Sequence, residues 1–376
     1  MPARPARNIC RAAAIVLAAG LGGWVAGCGA GTSHPIGLSL ARLHAAGDGL
    51  GSLAPSASPF RFFSPSSFWN QALPVDATVD PSSAALVKAF DETIATEEQS
   101  DHGPWINTSS YSLPLYTVPA SQPLVQVKLK DHSPEPALSA AWSEVPLPPT
   151  AKPAAGTDGI LILWQPSTDR LWDFWRLVHS AQGWRASWGG AMRDVQSNLG
   201  VYGPNAWPGA QSWWGASASS LAVVGGVISL EDLELGQINH ALAIAIPNAR
   251  AGVYSSPAQR SDGKAASPLS LPEGAHLRLN PKLDLAALHL PRLTMMLAQA
   301  AQRYGIIVTD SAADVALVAQ DPTTTGTDPY LGRAGYFEGM RPDQILASFP
   351  WSDLELLKME LHRLRTARQA PTSAQP

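Results

Sequence analysis

Three apolar segments joined by short connections constrain the fold of this chain most strongly. They occupy residues 159–164 (GILILW), 171–178 and 184–188, and the polar turn residues QPSTD separate the first two. Apolar segments of this length, rich in aromatic and branched residues and bounded by turn residues, are typical of β-strands. Because short connections join antiparallel neighbours, the three segments predict a β-meander.

The rest of the chain adds further strand patterns and fewer helical ones. Strand patterns cover residues 221–230, 236–246, 306–309 and 315–319, and the last two predict a hairpin. Helical spacing of apolar residues covers residues 80–99, 291–304 and 351–364. Together these patterns predict a mainly β fold, an antiparallel β-sandwich of the jelly-roll or concanavalin-like type with peripheral α-helices.

The first 28 residues have the pattern of an export signal. Three arginines precede a short apolar segment at residues 12–26, which is too short to span a membrane as a helix. The segment ends in VAGC at residues 25–28, which resembles the lipobox of bacterial lipoproteins. The alternative is an ordinary signal peptide with an incidental cysteine. We expect residues 1–27 to be a lipoprotein signal peptide and Cys28 to carry the lipid.

The predicted anchor sets the expected organisation and location of the chain. Residues 28–59, rich in Gly, Ala, Ser and Pro, predict a flexible tether between the lipid and the domain. We expect a single β-rich domain over residues 60–366 and a disordered tail over residues 367–376. The protein is then extracytoplasmic and is held at the cell membrane through Cys28.

Composition excludes several classes of function. Only 15% of the 376 residues are charged and the net charge is −4, which argues against a nucleic-acid partner. Cleavage before Cys28 would leave a single cysteine, so neither an internal disulfide nor a cysteine metal site is expected. The motifs of serine hydrolases with a nucleophile elbow, NTPases, zincins and dinucleotide enzymes do not occur. We therefore predict neither a metal nor a cofactor.

The catalytic candidates are His240, Asp194 and Glu231. On a strand, His240 would share one face with Leu242 and Ile244, so it is either a core-edge histidine that donates to a backbone carbonyl or an acid–base group facing a cleft. A carboxylate partner could come from Asp194 or from Glu231. The alternative for Glu231 and its acidic neighbours is a solvated turn.

Aromatic and short polar side chains between the predicted strands are candidates for ligand binding. Trp188, Trp213 and Trp214 could offer flat faces to sugar rings, and Asn198 could bind hydroxyl groups. The alternative for the loop tryptophans is that they plug the core. Arg260 could bind a carboxylate or a phosphate, or else form a surface ion pair.

Long segments of the chain resemble a family of exported bacterial lipoproteins, of actinobacterial type, whose activity is uncharacterised. The segments are GWRASWGGAMRDVQSN, GGVISLEDLELGQINHALAIAIP, PAQRSDG, LPEGAHLRLNP, AAQRYGIIVTD and FPWSDLELLKMEL. The resemblance implies one continuous domain and supplies no catalytic residues. Gln237 and His240 are only loosely similar to the Gln-x-His strand motif of concanavalin-like polysaccharide lyases, because the extra residue would place them on opposite faces.

Two classes of function agree with these observations. The first is a lipid-anchored extracytoplasmic enzyme, a hydrolase or a lyase, that acts on a glycan with His240 as its acid–base group. The second is a lipoprotein without catalytic activity that binds a polysaccharide or has a structural role in the cell envelope. The first requires an acid–base group and a carboxylate together in an open cleft, whereas the second requires only exposed aromatic side chains.

Overall fold

The computed structural model describes residues 60–130 and 135–364, all of which belong to one compact unit. The predicted signal peptide, Cys28, the tether at residues 28–59 and the tail at residues 367–376 lie outside the described residues. None of the helices in the described part is both long and apolar enough to cross a membrane.

Helices are few and mostly short. They are α1 (Ser83–Gln99), α2 (Pro136–Ala141), α3 (Leu230–Leu235) and α4 (Arg292–Arg303). The two long ones form where apolar residues recur at helical spacing, and in α4 Leu293, Met296, Leu297 and Ala300 are all buried. The helices predicted at residues 80–99 and 291–304 are thereby confirmed.

Strands are more numerous, which confirms the mainly β class. In chain order they are β1 (Trp105–Asn107), β2 (Leu115–Thr117), β3 (Val127–Leu129), β4 (Leu161–Gln165), β5 (Arg170–Trp175), β6 (Val178–Ser180), β7 (Gly183–Ala186), β8 (Trp188–Arg193), β9 (Leu242–Ile246), β10 (Val253–Ser255), β11 (His276–Leu279), β12 (Ile306–Ser311), β13 (Ala316–Val318), β14 (Leu354–Leu356) and β15 (Leu361–Arg363).

The strands form four sheets, and the three larger ones are mixed rather than purely antiparallel. The largest has the order β1-β13-β9-β12-β11-β14, and β9 pairs in parallel with β12 and antiparallel with β13. A four-stranded sheet has the order β2-β4-β5-β8, and a three-stranded sheet the order β3-β7-β6. Strands β10 and β15 form a separate antiparallel pair.

Strand β9 is central to the core because both of its faces are buried. Leu242, Ile244 and Ile246 pack into one cluster with the apolar faces of α1 and α4. Ala243 points the other way, into a second cluster that also contains most of the apolar side chains of β4, β5 and β8. A strand that is apolar on both faces is typical of a buried central position.

The predicted meander is correct for two strands and wrong for the third. Strands β4 and β5 pair antiparallel as expected. The next neighbour of β5 is β8 rather than the segment at residues 184–188, since β7 pairs with β3 and β6 in another sheet. The change of sheet occurs between Ala186 and Trp188, where the amide of Ser187 donates to the carbonyl of Trp175.

Three other predictions of local structure are wrong. Residues 221–230 contain a 3₁₀ turn at Val223–Gly226 instead of a strand, because the Trp69 ring packs directly against Gly225 and Gly226. The predicted hairpin does not form, since β12 and β13 lie on opposite sides of β9. Residues 351–364 form a 3₁₀ turn followed by β14 and β15 instead of a helix, because Leu354 and Leu356 alternate into the core.

Candidate functional site

A loop of small residues, 215–220 (GASASS), contacts a carboxylate from each of two sheets. The amide of Ala216 donates a hydrogen bond of 3.0 Å to Oδ2 of Asp173 on β5. Two residues later, the amide of Ala218 donates to Oδ1 of Asp310 on β12 across 3.3 Å. Small side chains let the backbone approach both carboxylates, so this loop brings together polar groups that are distant in sequence.

Arg260 holds this loop in place. Its Nε donates to the hydroxyl of Ser220 across 2.6 Å, and its Nη2 donates to the carbonyls of Gly215 and Ser217 across 3.1 and 2.7 Å. Burial lowers the pKa of the guanidinium, and the nearby charge of Asp310 acts in the opposite direction. Arg260 therefore does not form the surface ion pair that was one alternative from the sequence. Its hydrogen bonds go to this loop instead.

Glu273 is the most deeply buried acid of the site. It is 0% exposed, and neither carboxyl oxygen makes a hydrogen bond of normal geometry with any described residue. Burial, together with the charges of Asp310 and Asp262, raises its pKa to about 9. The group therefore keeps its proton at neutral pH.

Asp310 is the second acid of the site, and its charge acts on Glu273. Its side chain is half-buried, whereas Asp262 is exposed. Burial and the charge of Asp262 raise the pKa of Asp310 to about 7, and the hydrogen bond from Ala218 opposes the rise. A carboxyl group that titrates near neutral pH at the edge of a buried polar cluster has the property expected of a general acid or base.

A buried pair, Asp173 and Tyr202, adjoins the loop on the side of the four-stranded sheet. Burial raises the pKa of both groups, and the charge of Asp173 raises that of Tyr202 further. Both side chains pack against Gly190, where an added Cβ would lie 2.4 Å from the Tyr202 ring and 2.9 Å from Oδ1 of Asp173. Glycine is therefore required at position 190 for the pair to fit.

His240 lies outside this site and has a different carboxylate partner from those predicted. Its Nε2 lies 3.1 Å from Oδ2 of Asp232, and its Nδ1 lies 2.9 Å from the carbonyl of Ala241. Burial lowers the pKa of His240, but the hydrogen bond and charge of Asp232 outweigh it and the pKa is raised. His240 is buried just before β9, as in the core-edge alternative.

The two carboxylates predicted to assist His240 have other contacts. Asp194 is exposed at the end of β8, where its carboxylate lies 3.8 Å from the guanidinium of Arg193. Glu231 is exposed and accepts a hydrogen bond from the amide of Phe60. The structure thus pairs neither of them with His240.

Of the predicted ligand-binding residues, Trp213 is exposed to solvent, whereas Trp214 and Asn198 make contacts within the fold. Trp213 is 47% exposed, and its carbonyl accepts a hydrogen bond from the half-buried Trp188. Trp214 is 0% exposed and its indole donates to Oε1 of Glu135, so it plugs the core. Asn198 caps a turn, with its Oδ1 accepting from the amide of Gly200.

Sequence reasoning missed the acids at the centre of the site. Asp310 directly follows the strand pattern at residues 306–309, where the sequence predicts a hairpin turn, and Glu273 stands in a Pro-Glu-Gly segment without periodicity. Only Asp173 left a signal that could have been used, since a carboxylate in an otherwise apolar strand must find buried partners.

Comparison of the chain with protein-family models, curated proteins and solved structures found no match. Within the described ranges, no three His, Cys, Asp or Glu side chains are grouped so that they could hold a metal ion.

Proposed function

We propose that this protein is a lipid-anchored extracytoplasmic enzyme that hydrolyses a glycan. Asp310 is the general acid, Asp262 is the general base, and Glu273 is a buried, protonated neighbour of both. The proposal replaces His240 with Asp310 as the acid–base group. The anchor in the proposal is supported by the sequence VAGC at residues 25–28.

The observation that carries the proposal is the graded burial of three neighbouring carboxyl groups. Glu273 is fully buried, Asp310 is half-buried and Asp262 is exposed. Glycosidic hydrolysis by two carboxyl groups requires one that is protonated and one that is ionised at the same pH. A pKa of about 7 for Asp310 makes it available as the protonated member near neutral pH.

In the proposed reaction, Asp310 gives up one proton and Asp262 accepts one. Asp310 donates its proton to the glycosidic oxygen as the bond from that oxygen to the anomeric carbon breaks. A water molecule forms the new bond to the anomeric carbon and gives its proton to Asp262. Glu273 keeps its own proton because its pKa is about 9, so it adds no third charge beside the reacting pair.

Aromatic side chains near the same loop support a glycan as the substrate. Trp213 is exposed only two residues before Gly215, whose carbonyl binds Arg260. Trp188 donates its indole hydrogen to the carbonyl of Trp213. Exposed tryptophan faces are suited to the apolar faces of sugar rings, and here they adjoin the loop that contacts Asp310.

The proposal also includes a sandwich arrangement in which the four-stranded sheet faces the six-stranded sheet. What supports it is the second core cluster, in which Leu163 of β4 and Phe174 of β5 belong with Ala243 of β9 and Ile307 of β12. Packing of two sheets through a shared apolar layer is the defining feature of that architecture.

The test is cleavage of a panel of bacterial and plant polysaccharides by the full chain in a mild detergent, followed by mass spectrometry. Hydrolysis adds one water for each bond that is broken, whereas elimination adds none and leaves an unsaturated end. Asp310→Asn should lower the rate by about 100-fold or more, as expected for loss of a general acid. Asp76→Asn changes an exposed carboxylate away from the site and serves as the matched control.

Three outcomes would contradict parts of the proposal. Unsaturated products would assign the protein to the lyases, and an unchanged rate in Asp310→Asn would remove Asp310 as the acid. If no glycan is cleaved but one of them retains the protein, the binding alternative replaces the enzyme.

A further inference from the structure

A cleft lies where the three-stranded and four-stranded sheets approach each other. The cleft is lined by Lys130, which follows β3, and by Trp175, the last residue of β5. Its other polar lining residues are Thr157, Arg176 and Ser187. Its volume is about 500 Å³, which is within the usual range of sites for small ligands. The cleft is thus large enough for a sugar unit.

The charged side chains that line this cleft are both cationic. The guanidinium of Arg176 sits 4.2 Å from the centre of the Trp175 ring, which holds it in place by a cation–π contact. In the described part of the chain, no carboxylate is within ion-pair distance of Arg176. Lys130 also lines the cleft but already has an interaction of its own, so Arg176 is the cation that can bind a ligand. A ligand with a carboxylate is therefore favoured over a neutral or a cationic one.

The backbone of Arg176 is fixed in an uncommon conformation. Its φ is +53°, in the left-handed region that side chains other than glycine rarely adopt. The amide of Arg176 donates to the carbonyl of Asp158 across 2.6 Å, and an added Cβ on Gly159 would lie 3.3 Å from its Cα. The 158–159 segment thus holds Arg176 where its side chain reaches the cleft, as strained residues at binding sites often are.

The cleft is connected to the acid site through β5. Trp175 is two residues after Asp173, so both side chains point to the same face of the sheet. Trp175 also pairs across the strands with Trp188, whose indole donates to Trp213. On the other side, Asp158 accepts a hydrogen bond from the Trp175 indole, and its charge acts on Asp310.

From this geometry we infer that the cleft binds a uronic acid unit of the glycan, with Arg176 binding its carboxylate. The inference rests on the proposed function, because it names the class of glycan that the acid site cleaves. It makes the substrate an acidic polysaccharide in which a charged sugar lies a short distance from the bond that is broken.

The test separates binding from cleavage. The full chain in mild detergent is run through gels containing polygalacturonate, alginate or neutral galactan, and its retardation gives the affinity for each polymer. We expect retardation by at least one acidic polymer, and in Arg176→Gln an affinity that is about tenfold weaker or more. Arg333→Gln, which removes an exposed arginine elsewhere, should leave the affinity unchanged.

Two results would overturn the inference. One is the absence of retardation by both acidic polymers, and the other is equal retardation of Arg176→Gln and Arg333→Gln. Cleavage of a neutral glycan would then leave the proposed hydrolase standing without an acidic substrate. Loss of retardation in Arg176→Gln alone, without cleavage of any polymer by the unaltered chain, would support the cleft and remove the proposed hydrolase.

Discussion

The Nε atom of Arg260 lies 2.6 Å from the hydroxyl oxygen of Ser220, although the two residues are 40 positions apart in sequence. The same guanidinium binds the carbonyls of Gly215 and Ser217. One side chain therefore fixes both ends of the loop whose amides contact Asp173 and Asp310. The geometry of the proposed acid depends on Arg260 even if Arg260 never touches a substrate.

Replacing Arg260 with Gln should destabilise the protein strongly. The change leaves carbonyls of the loop without donors, and each buried polar group left unsatisfied costs about 1–3 kcal/mol. We expect a loss of about 3 kcal/mol in the free energy of unfolding by urea denaturation. Arg193→Gln removes an exposed arginine that only approaches Asp194 and should change it by less than about 0.5 kcal/mol. Equal stabilities of the two variants would contradict the role of Arg260.

Glu273 should make the protein less stable as the pH rises. Its pKa in the folded state is about 9, well above the value of 4.5 for an unperturbed glutamate. The folded state therefore binds more protons than the unfolded chain between these values, and stability falls as the pH rises through them. Each unit of pKa difference corresponds to about 1.4 kcal/mol.

Glu273→Gln should remove this part of the pH dependence. Glutamine has the shape of the protonated glutamate but does not ionise, so the variant should melt several degrees above the unaltered protein at pH 9. At pH 5 the two should melt alike. The measurement is the melting temperature by calorimetry across this range, with Glu144→Gln as an exposed control. Parallel curves for Glu273→Gln and the unaltered protein would show that Glu273 does not hold a proton in the folded state.

The parts of the fold that the sequence predicted are those fixed by local periodicity. In α4 the apolar stripe recurs at helical spacing, and Gly305 follows where the chain must turn with φ of +89°. An added Cβ at Gly305 would lie 2.3 Å from the His276 ring, so only glycine fits at this position. A glycine directly after the apolar stripe therefore marks the end of the helix in the sequence. Strands β4 and β5 were equally clear, because a turn of polar residues separates two apolar segments.

The pairing of strands and the composition of the site could not be predicted in this way. Periodicity does not specify which strands are neighbours. Strands β12 and β13 pair with opposite edges of β9, and this arrangement buries the apolar β9 in the centre of the sheet. Glu273 precedes β11 and Asp310 is on the neighbouring β12, while the loop that contacts Asp310 comes from residues 215–220. Sites of this kind depend on contacts between distant segments, which no local pattern records.

The pair of His240 and Asp232 should stabilise the protein more at low pH. The pKa of His240 is raised, so its contribution is present below the pKa of the unfolded chain and is lost as the pH rises through the folded value. Asp232 also completes the capping box of α3, with its Oδ2 accepting a hydrogen bond from the amide of Ser229 across 2.8 Å. Asp232→Asn should therefore lower the free energy of unfolding by about 2 kcal/mol at pH 5.5, and by less at pH 8.

The neighbouring Glu231 provides the control for this prediction. It lies in the same first turn of α3 but is exposed, so Glu231→Gln should leave urea denaturation nearly unchanged at both pH values. A loss in Asp232→Asn that is the same at both pH values would attribute its effect to capping alone.

Adjacent tryptophans should separate binding from stability. Trp214 is 0% exposed, so Trp214→Ala should lower the free energy of unfolding by about 3–5 kcal/mol. Trp213 is 47% exposed, and Trp213→Ala should change it by less than about 0.5 kcal/mol. If Trp213 is the sugar platform, its variant should weaken retention on the cleaved glycan about tenfold, a loss typical of a stacking aromatic. Calorimetry and affinity electrophoresis on both variants measure the two effects. Full retention by Trp213→Ala would exclude this tryptophan from glycan binding and confine the binding surface to the cleft at Arg176.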